Sequence, residues 1–149
     1  MYNVHKRYRR SAVSVPVTTR LDPDLLKAVH ARATRRRRSR SDMIAELIRL
    51  GLDTLRYPGI TFVEGAAGLR AHVAGSGLDV WEVVMVHRAH KGVEEATCKH
   101  LPQLSRRQLR TALAYYREHK QEVDAILSEQ AKAPEEWSRE VAAPRPAGA

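Results

Sequence analysis

The chain has 149 residues and a formal net charge of +9, from 26 Lys+Arg against 17 Asp+Glu. Residues 1–56 hold 14 basic and 5 acidic side chains and residues 57–149 hold 12 of each, so the whole excess lies in the first third and points to a polyanion partner there, nucleic acid or an anionic membrane surface. An apolar content of 43% excludes a merely disordered basic tail, and a single cysteine excludes a disulfide framework. No run approaches the ~20 apolar residues of a membrane span, and no apolar secretory segment follows the first charges, so a soluble, cytoplasmic protein is expected.

Residues 1–12 are a basic arm with two tyrosines and no periodicity, read as flexible until bound. From Val13 to Leu21 the pattern alternates. Val13, Val15, Val17, Thr19 and Leu21 fall on one face, and Ser14, Pro16, Thr18 and Arg20 on the other, which predicts a strand. Pro16 has no N–H, so the strand is an edge or ends near there. Asp22-Pro23 predicts a helix start, with the helix running to about Arg35 and Leu25, Ala28, Val29 and Ala33 on one side. After a break in the Arg35–Arg40 run, Ser41-Asp42 is read as the cap of a second helix. Its Ile44, Leu47, Ile48, Gly51, Leu52 and Leu55 make a full helical stripe.

Tyr57-Pro58-Gly59 reads as a turn and a domain boundary. Ile60–Val63 and Leu69–Ala74, separated by Glu64-Gly65-Ala66-Ala67-Gly68, predict a β-hairpin. Gly75-Ser76-Gly77 reads as a loop, and Asp79 as the cap of a helix with Val80, Val83 and Val84 inward. A short helix over Val93–His100 follows Gly92. Ser105 caps the next helix, which carries Leu109, Ala112, Leu113 and Tyr116; its stripe resumes at Val123, Ile126 and Leu127, and Pro134 stops it. Residues 134–149 are rich in Pro and Ala and are expected to lack fixed structure. The expected organisation is an arm (1–12), a first domain (13–56), a second domain (58–130) and a tail (131–149).

The first domain has one strand and two helices, which leaves the strand's ladder groups unpaired and little core. A homodimer solves both problems. Two copies of the strand pair antiparallel, and the helix stripes pack across the two-fold axis. Val15, Val17 and Leu21 then cover the helices, while Pro16, Thr18 and Arg20 of each chain face outward. Such a ribbon fits the major groove of B-DNA, where Arg can bind guanine O6/N7 and Thr can reach base edges or a thymine methyl.

The stretch from Val17 to Leu26 (VTTRLDPDLL), then Arg38-Ser39-Arg40-Ser41-Asp42-Met43-Ile44 and a leucine-rich helix, resembles the ribbon-helix-helix family of bacterial repressors and antitoxins, of the Arc and MetJ type. The resemblance covers residues 13–56. It implies that Pro16, Thr18 and Arg20 are the base-contacting positions. It also implies that the start of the second helix, with Arg38, Ser39, Arg40, Ser41 and Asp42, contacts phosphate. Two departures stand out. Proline at the first groove position cannot hydrogen-bond a base, and Arg37 stands where the family usually has glycine, implying a different or strained turn. The Arg35–Arg40 run has an ordinary reading as a solvated charge run; its position beside the second helix start favours phosphate contact.

Residues 58–130 resemble a domain of unknown function found in VapB-type antitoxins. The resemblance is carried by Pro58-Gly59-Ile60, Arg70, Val73, the stretch from Gly75 to Trp81 (GSGLDVW), Gly92-Val93, Leu104-Ser105 and the stretch from Ala112 to Tyr116 (ALAYY). It implies a short hairpin followed by a homeodomain-like helical bundle, and a toxin partner with a PIN-like nuclease fold. Lys120 stands where the family often has proline, so the helix is expected to run through residue 120. The overall fold class is therefore mainly α: a ribbon-helix-helix in an intertwined dimer, then a hairpin and a helical bundle.

Arg106, Arg107 and Arg110 after Ser105 are candidates for a second DNA contact, although the neutrality of this domain favours a structural or protein-binding bundle. His87, His90, Cys98 and His100 match no standard zinc spacing, so no metal site is assigned and no cofactor is expected. Neither a Ser/His/Asp order, nor paired carboxylates, nor a phosphate-cradling loop appears, so no catalytic residue is assigned and the protein is not read as an enzyme. Trp137 and Arg139 in the tail are candidates for toxin binding, against the plain reading of a weakly docked tail.

The leading expectation is a homodimeric repressor, open to higher oligomers, that binds a double-stranded DNA operator. It also acts as the antitoxin of a type II toxin–antitoxin pair, with no membrane partner. The alternatives are a free-standing transcription factor whose second domain senses a ligand or extends the DNA contact, and a nucleoid or plasmid-partition accessory protein.

Overall fold

A computed structural model describes residues 13–65 and 68–131. These comprise helices α1 (Pro23–Arg35) and α2 (Arg40–Arg56), strands β1 (Ile60–Gly65), β2 (Gly68–Val73) and β3 (Leu78–Asp79), and helices α3 (Val80–Ala89), α4 (Glu94–His100), α5 (Arg106–Glu118) and α6 (Lys120–Gln130). The described chain is mainly helical, with one small antiparallel sheet in the order β1-β2-β3. None of its helices is long and apolar enough to cross a membrane.

The hairpin forms where the two short apolar runs predicted it, but it is tighter. Ile60 pairs with Val73, and the ladder continues to a Gly65–Gly68 pair, so the glycines belong to the strands. The third strand was not foreseen. Ser76 Oγ donates to the Val73 carbonyl and accepts from the Leu78 N–H, closing a turn in which Gly75 and Gly77 take φ values of 77° and 73°. Those left-handed positions suit glycine. The turn returns the chain so that Leu78 and Asp79 pair with Val73 and His72. Asp79 then caps α3, its N–H donating to the Glu82 carboxylate at 2.8 Å. The Asp79 carboxylate itself lies 2.8 Å from Arg70 and 3.0 Å from His72, and accepts from the Trp81 indole N–H. One buried carboxylate thus locks the sheet to the helix that follows.

The main core lies between the sheet and α3, α4, α5 and α6. Ile60, Val73, Val80, Val83, Val84, Leu109, Ala112 and Val123 are all but fully buried in it. Tyr57 belongs to this core, its ring edge-on to Tyr115 at 5.4 Å. The expectation of a helix running through residue 120 is wrong. His119 leaves helical geometry (φ −112°, ψ 31°) and α6 starts anew behind it. The reason is packing. The break turns α6 back so that Val123 enters the core, and Asp124 pairs with Arg88 of α3 while accepting from the Tyr116 hydroxyl.

The first two helices make a second and much smaller core of Val29, Ala33 and Met43, flanked by Ile44 and Leu47. Most of the predicted apolar stripe is uncovered: Leu25, Ile48, Leu52 and Leu55 are 48%, 57%, 61% and 79% exposed. The predicted strand over Val13–Leu21 does not form within one chain. In the single chain residues 13–21 form no strand, and Val13, Val15 and Val17 are exposed. A ladder needs a partner, and the chain's own sheet is built from β1, β2 and β3 alone among the described residues.

Two polar links join the two cores. Glu64 on β1 lies 2.7 Å from Arg32 and 3.1 Å from Arg36, and His119 Nε2 lies 3.4 Å from Asp53 on α2. The Glu64 carboxyl is held below its ordinary 4.5, chiefly by the hydrogen bond from Arg36, against a smaller opposing effect of burial. A depressed carboxylate pKa means that the link is complete above the ordinary value and is lost as pH falls through the depressed one. NMR titration of the Glu64 carboxyl is expected to give a midpoint below 4.5 that moves up in Arg36→Gln. A midpoint at or above the ordinary value would refute the link.

Candidate nucleic-acid interface

The candidate interface is the segment 13–22, the turn between α1 and α2, and the first turn of α2. Asp22 sets the start of α1: its carboxylate accepts the Leu25 N–H at 2.9 Å, with Pro23 at the first helical position. Immediately before it, Pro16, Thr18 and Arg20 stand exposed on extended chain together with the valines that alternate with them.

The end of α1 is a Schellman turn. The Arg38 N–H donates to the Ala33 carbonyl at 2.9 Å and the Arg37 N–H to the Thr34 carbonyl at 3.1 Å, with Arg37 itself left-handed at φ 51°. The turn is therefore the one glycine would make, with arginine bearing its strain. A left-handed residue with a Cβ costs roughly 1–2 kcal/mol.

The second helix is capped by Ser39, not by Ser41-Asp42. Ser39 Oγ accepts the Asp42 N–H at 3.0 Å, and the Met43 N–H bonds to the Ser39 carbonyl. Asp42 sits in the first turn, and its charge suits the positive end of the helix. This leaves the N–H groups of Arg40 and Ser41 without an acceptor among the described residues, at a solvent-facing helix start. Two such N–H groups can take an anion.

The arginine run divides. Arg38 is ion-paired to Glu46 at 2.7 Å, with both side chains largely covered, and Arg32 and Arg36 are held by Glu64. Arg35, Arg37 and Arg40 are exposed and have no ion pair among the described residues. Arg38 thus braces the turn, and the exposed cations are those that flank it. Sequence reasoning missed this division. Its one local signal was the Ser39-Arg40-Ser41-Asp42 spacing, a cap with an acidic residue three positions on.

The second candidate set lies on α5. Ser105 caps it in a capping box: Ser105 Oγ accepts the Gln108 N–H, and Gln108 Oε1 accepts the Ser105 N–H. Arg106 and Arg107 are exposed, but Arg110 is held by both oxygens of Glu94 at 3.0–3.2 Å. Trp137 and Arg139 lie outside the described residues. Of the histidines, His87 Nδ1 bonds to the Thr97 hydroxyl at 2.9 Å, and His90 and His100 face each other with ring nitrogens 3.0 Å apart. No cluster of three or more His, Cys, Asp or Glu suited to a metal ion occurs among the described residues.

Residues 15–55 match the family model described as ribbon-helix-helix protein, copG family. No curated protein and no solved structure gives a significant match. The matched segment spans the exposed alternating chain, α1, the Schellman turn and α2, so this part of the chain is the DNA-binding module of transcription regulators. Replacing Arg37 by glycine is expected to raise the stability of the folded protein by about 0.5–1 kcal/mol in a denaturant titration, by relieving the left-handed strain. Unchanged or lower stability would show that the turn is not strained.

Proposed function

We propose that the protein is a homodimeric transcriptional repressor in which residues 13–21 of two chains pair as an antiparallel ribbon and enter the major groove. The observation that carries this reading is the coincidence, within one matched segment, of an alternating chain with free ladder groups and an uncovered apolar helix face. Val13, Val15 and Val17, with Leu25, Ile48, Leu52 and Leu55, offer a second copy the apolar area that one chain cannot bury. With that face covered, Pro16, Thr18 and Arg20 point outward. Thr18 and Arg20 read bases, since Pro16 has no donor. Arg40 and Ser41 N–H groups, flanked by Arg35, Arg37 and Arg40, hold a phosphate on each side.

Arg20→Ala is expected to lower affinity for the specific site by about 1–3 kcal/mol, and to relax sequence preference, while the dimer persists in sedimentation. Retained preference at moderate salt would overturn the groove assignment.

The finer reading is that this repressor is the antitoxin of a type II pair, with residues 58–130 as a homeodomain-like bundle and the tail engaging a PIN-like nuclease. It is supported by the resemblance of residues 58–130 to VapB-type antitoxins and by the net neutrality of residues 57–149. In this reading Trp137 anchors the tail, and Arg139 pairs with carboxylates at the nuclease metal site. A small nuclease gene beside this one, and co-purification of its product, are the expected findings. Deleting residues 131–149 is expected to weaken that complex and to spare DNA binding; undiminished toxin affinity would remove the tail from the interface.

A further inference from the structure

The basic run of the first unit meets one carboxylate of the second. Glu64 stands near the end of β1, opposite Leu69 in the ladder, and its Oε1 lies 2.7 Å from Arg32 and 3.1 Å from Arg36. These arginines are four positions apart, one in the last turn of α1 and the other at its C-cap, so they share an edge of the helix. Arg36 is also the residue before left-handed Arg37, inside the turn whose exposed arginines are Arg35, Arg37 and Arg40. The Arg32 and Arg36 side chains are 25% and 27% exposed and that of Glu64 is 54% exposed, so solvent reaches the contact.

The hairpin delivers the carboxylate there. Ile60 anchors β1 in the main core, and the strand runs outward from it to Glu64 and Gly65. Arg70 supports the far end. A Cβ at Gly65 would come within 2.7 Å of Arg70 Nη1, so glycine lets the guanidinium lie against the strand, and Asp79 holds that guanidinium from the head of α3 at 2.8 Å. The hydrogen bond from Arg36, the largest effect on Glu64, holds its carboxyl below the ordinary 4.5, so it is charged throughout neutral pH.

A salt bridge that ties two units together is ordinary, and Arg38–Glu46 is a comparable brace within the first unit. The Glu64 contact differs in two respects. One carboxylate takes two guanidiniums, and it takes them from the run that the ribbon reading turns toward phosphate. Exposed pairs of this kind hold weakly. A duplex phosphate, to which a guanidinium fork is equally suited, can compete for the same donors.

We propose that Glu64 is an autoinhibitory contact: the hairpin of the second unit occupies Arg32 and Arg36, and duplex phosphate must displace it to gain them. Hairpin docking and phosphate binding by these two arginines then exclude one another. The linkage runs in both directions. Loss of the Glu64 charge strengthens the hold on DNA, and a bound duplex loosens the hairpin by the same factor. This inference rests on the reading that the turn between α1 and α2 faces phosphate.

The test uses the full chain and a mixed-sequence DNA duplex about three helical turns long, with affinity measured over a range of salt. No operator is needed, because phosphate contacts are made to any sequence. Glu64→Gln is expected to tighten binding about threefold or more at low salt. It should also steepen the slope of log affinity against log salt by roughly 0.9 for each arginine that phosphate gains. Glu95→Gln, which removes an exposed carboxylate of α4, controls for net charge. In an Arg32→Gln/Arg36→Gln background the Glu64→Gln gain should vanish. Thermal melts check that each variant folds. Arg40→Gln, expected to weaken binding and flatten the slope, tests the phosphate-facing turn itself. Unchanged or weaker binding in Glu64→Gln, a gain no larger than that of Glu95→Gln, or a gain that persists without the two arginines overturns the autoinhibitory contact. If Arg40→Gln acts while Glu64→Gln does not, the proposal fails alone. If Arg40→Gln has no effect, or no duplex binds, the phosphate-facing turn fails and the proposal falls with it.

Discussion

Three side chains, Val29, Ala33 and Met43, are all the closed core that α1 and α2 make between them. Everything else about the first third of the chain follows from that shortage. At roughly 25 cal/mol per Å² of apolar area, so small a core cannot offset the entropy of ordering more than thirty residues. The leftover apolar face on α2 and the free ladder groups of residues 13–21 are two halves of one deficit. In the proposed dimer a second copy would supply both at once, because it brings a strand edge and an apolar stripe of the same shape.

The remainder of the chain is built on the opposite plan. Its sheet, α3, α4, α5 and α6 close around a contiguous core, and its polar groups are matched internally by Asp79, Thr97 and the Arg88–Tyr116–Asp124 cluster. It leans on the first unit through few contacts. Tyr57 crosses from the end of α2 into the larger core, Asp53 meets His119, and Glu64 reaches back to α1. α2 therefore belongs to both: its first turn faces the solvent that nucleic acid would displace, and its last residue is followed by a core aromatic.

Sequence patterning located the helices well because each advertises itself locally. Asp22-Pro23, Ser105 and the stripe from Ile44 to Leu55 are short-range signals; Asp22 and Ser105 cap as expected, and the stripe is helical although most of it is uncovered in the single chain. The hairpin was legible from two short apolar runs around a glycine-containing turn, whereas the two-residue strand at Leu78 is too short to carry such a signal. The break at His119 contains no proline or glycine; it is imposed by Val123 finding the core, a tertiary cause. The alternation in residues 13–21 was legible as a pattern, but a strand needs a pairing partner, and the single chain offers that segment none among the described residues. The place of Tyr57 in the core was invisible for a related reason: it reads as part of a turn, and its ring partner Tyr115 lies far along the chain.

The division of the arginine run changes the electrostatic account of the interface. Six arginines between residues 32 and 40 look like six cations for a polyanion. Arg38 is paired with Glu46, and Arg32 and Arg36 share Glu64, so two carboxylates offset two of these three charges. When a protein docks on a duplex, the entropy gained comes from counterions its unspent cations displace. A cation that brings its own carboxylate displaces few. On the proposed function, the run's hold on DNA would come mainly from Arg35, Arg37 and Arg40, and Glu64, supplied by the neutral part of the chain, would act as an internal counterion that lowers non-specific attraction and leaves more of the discrimination to the base-reading face.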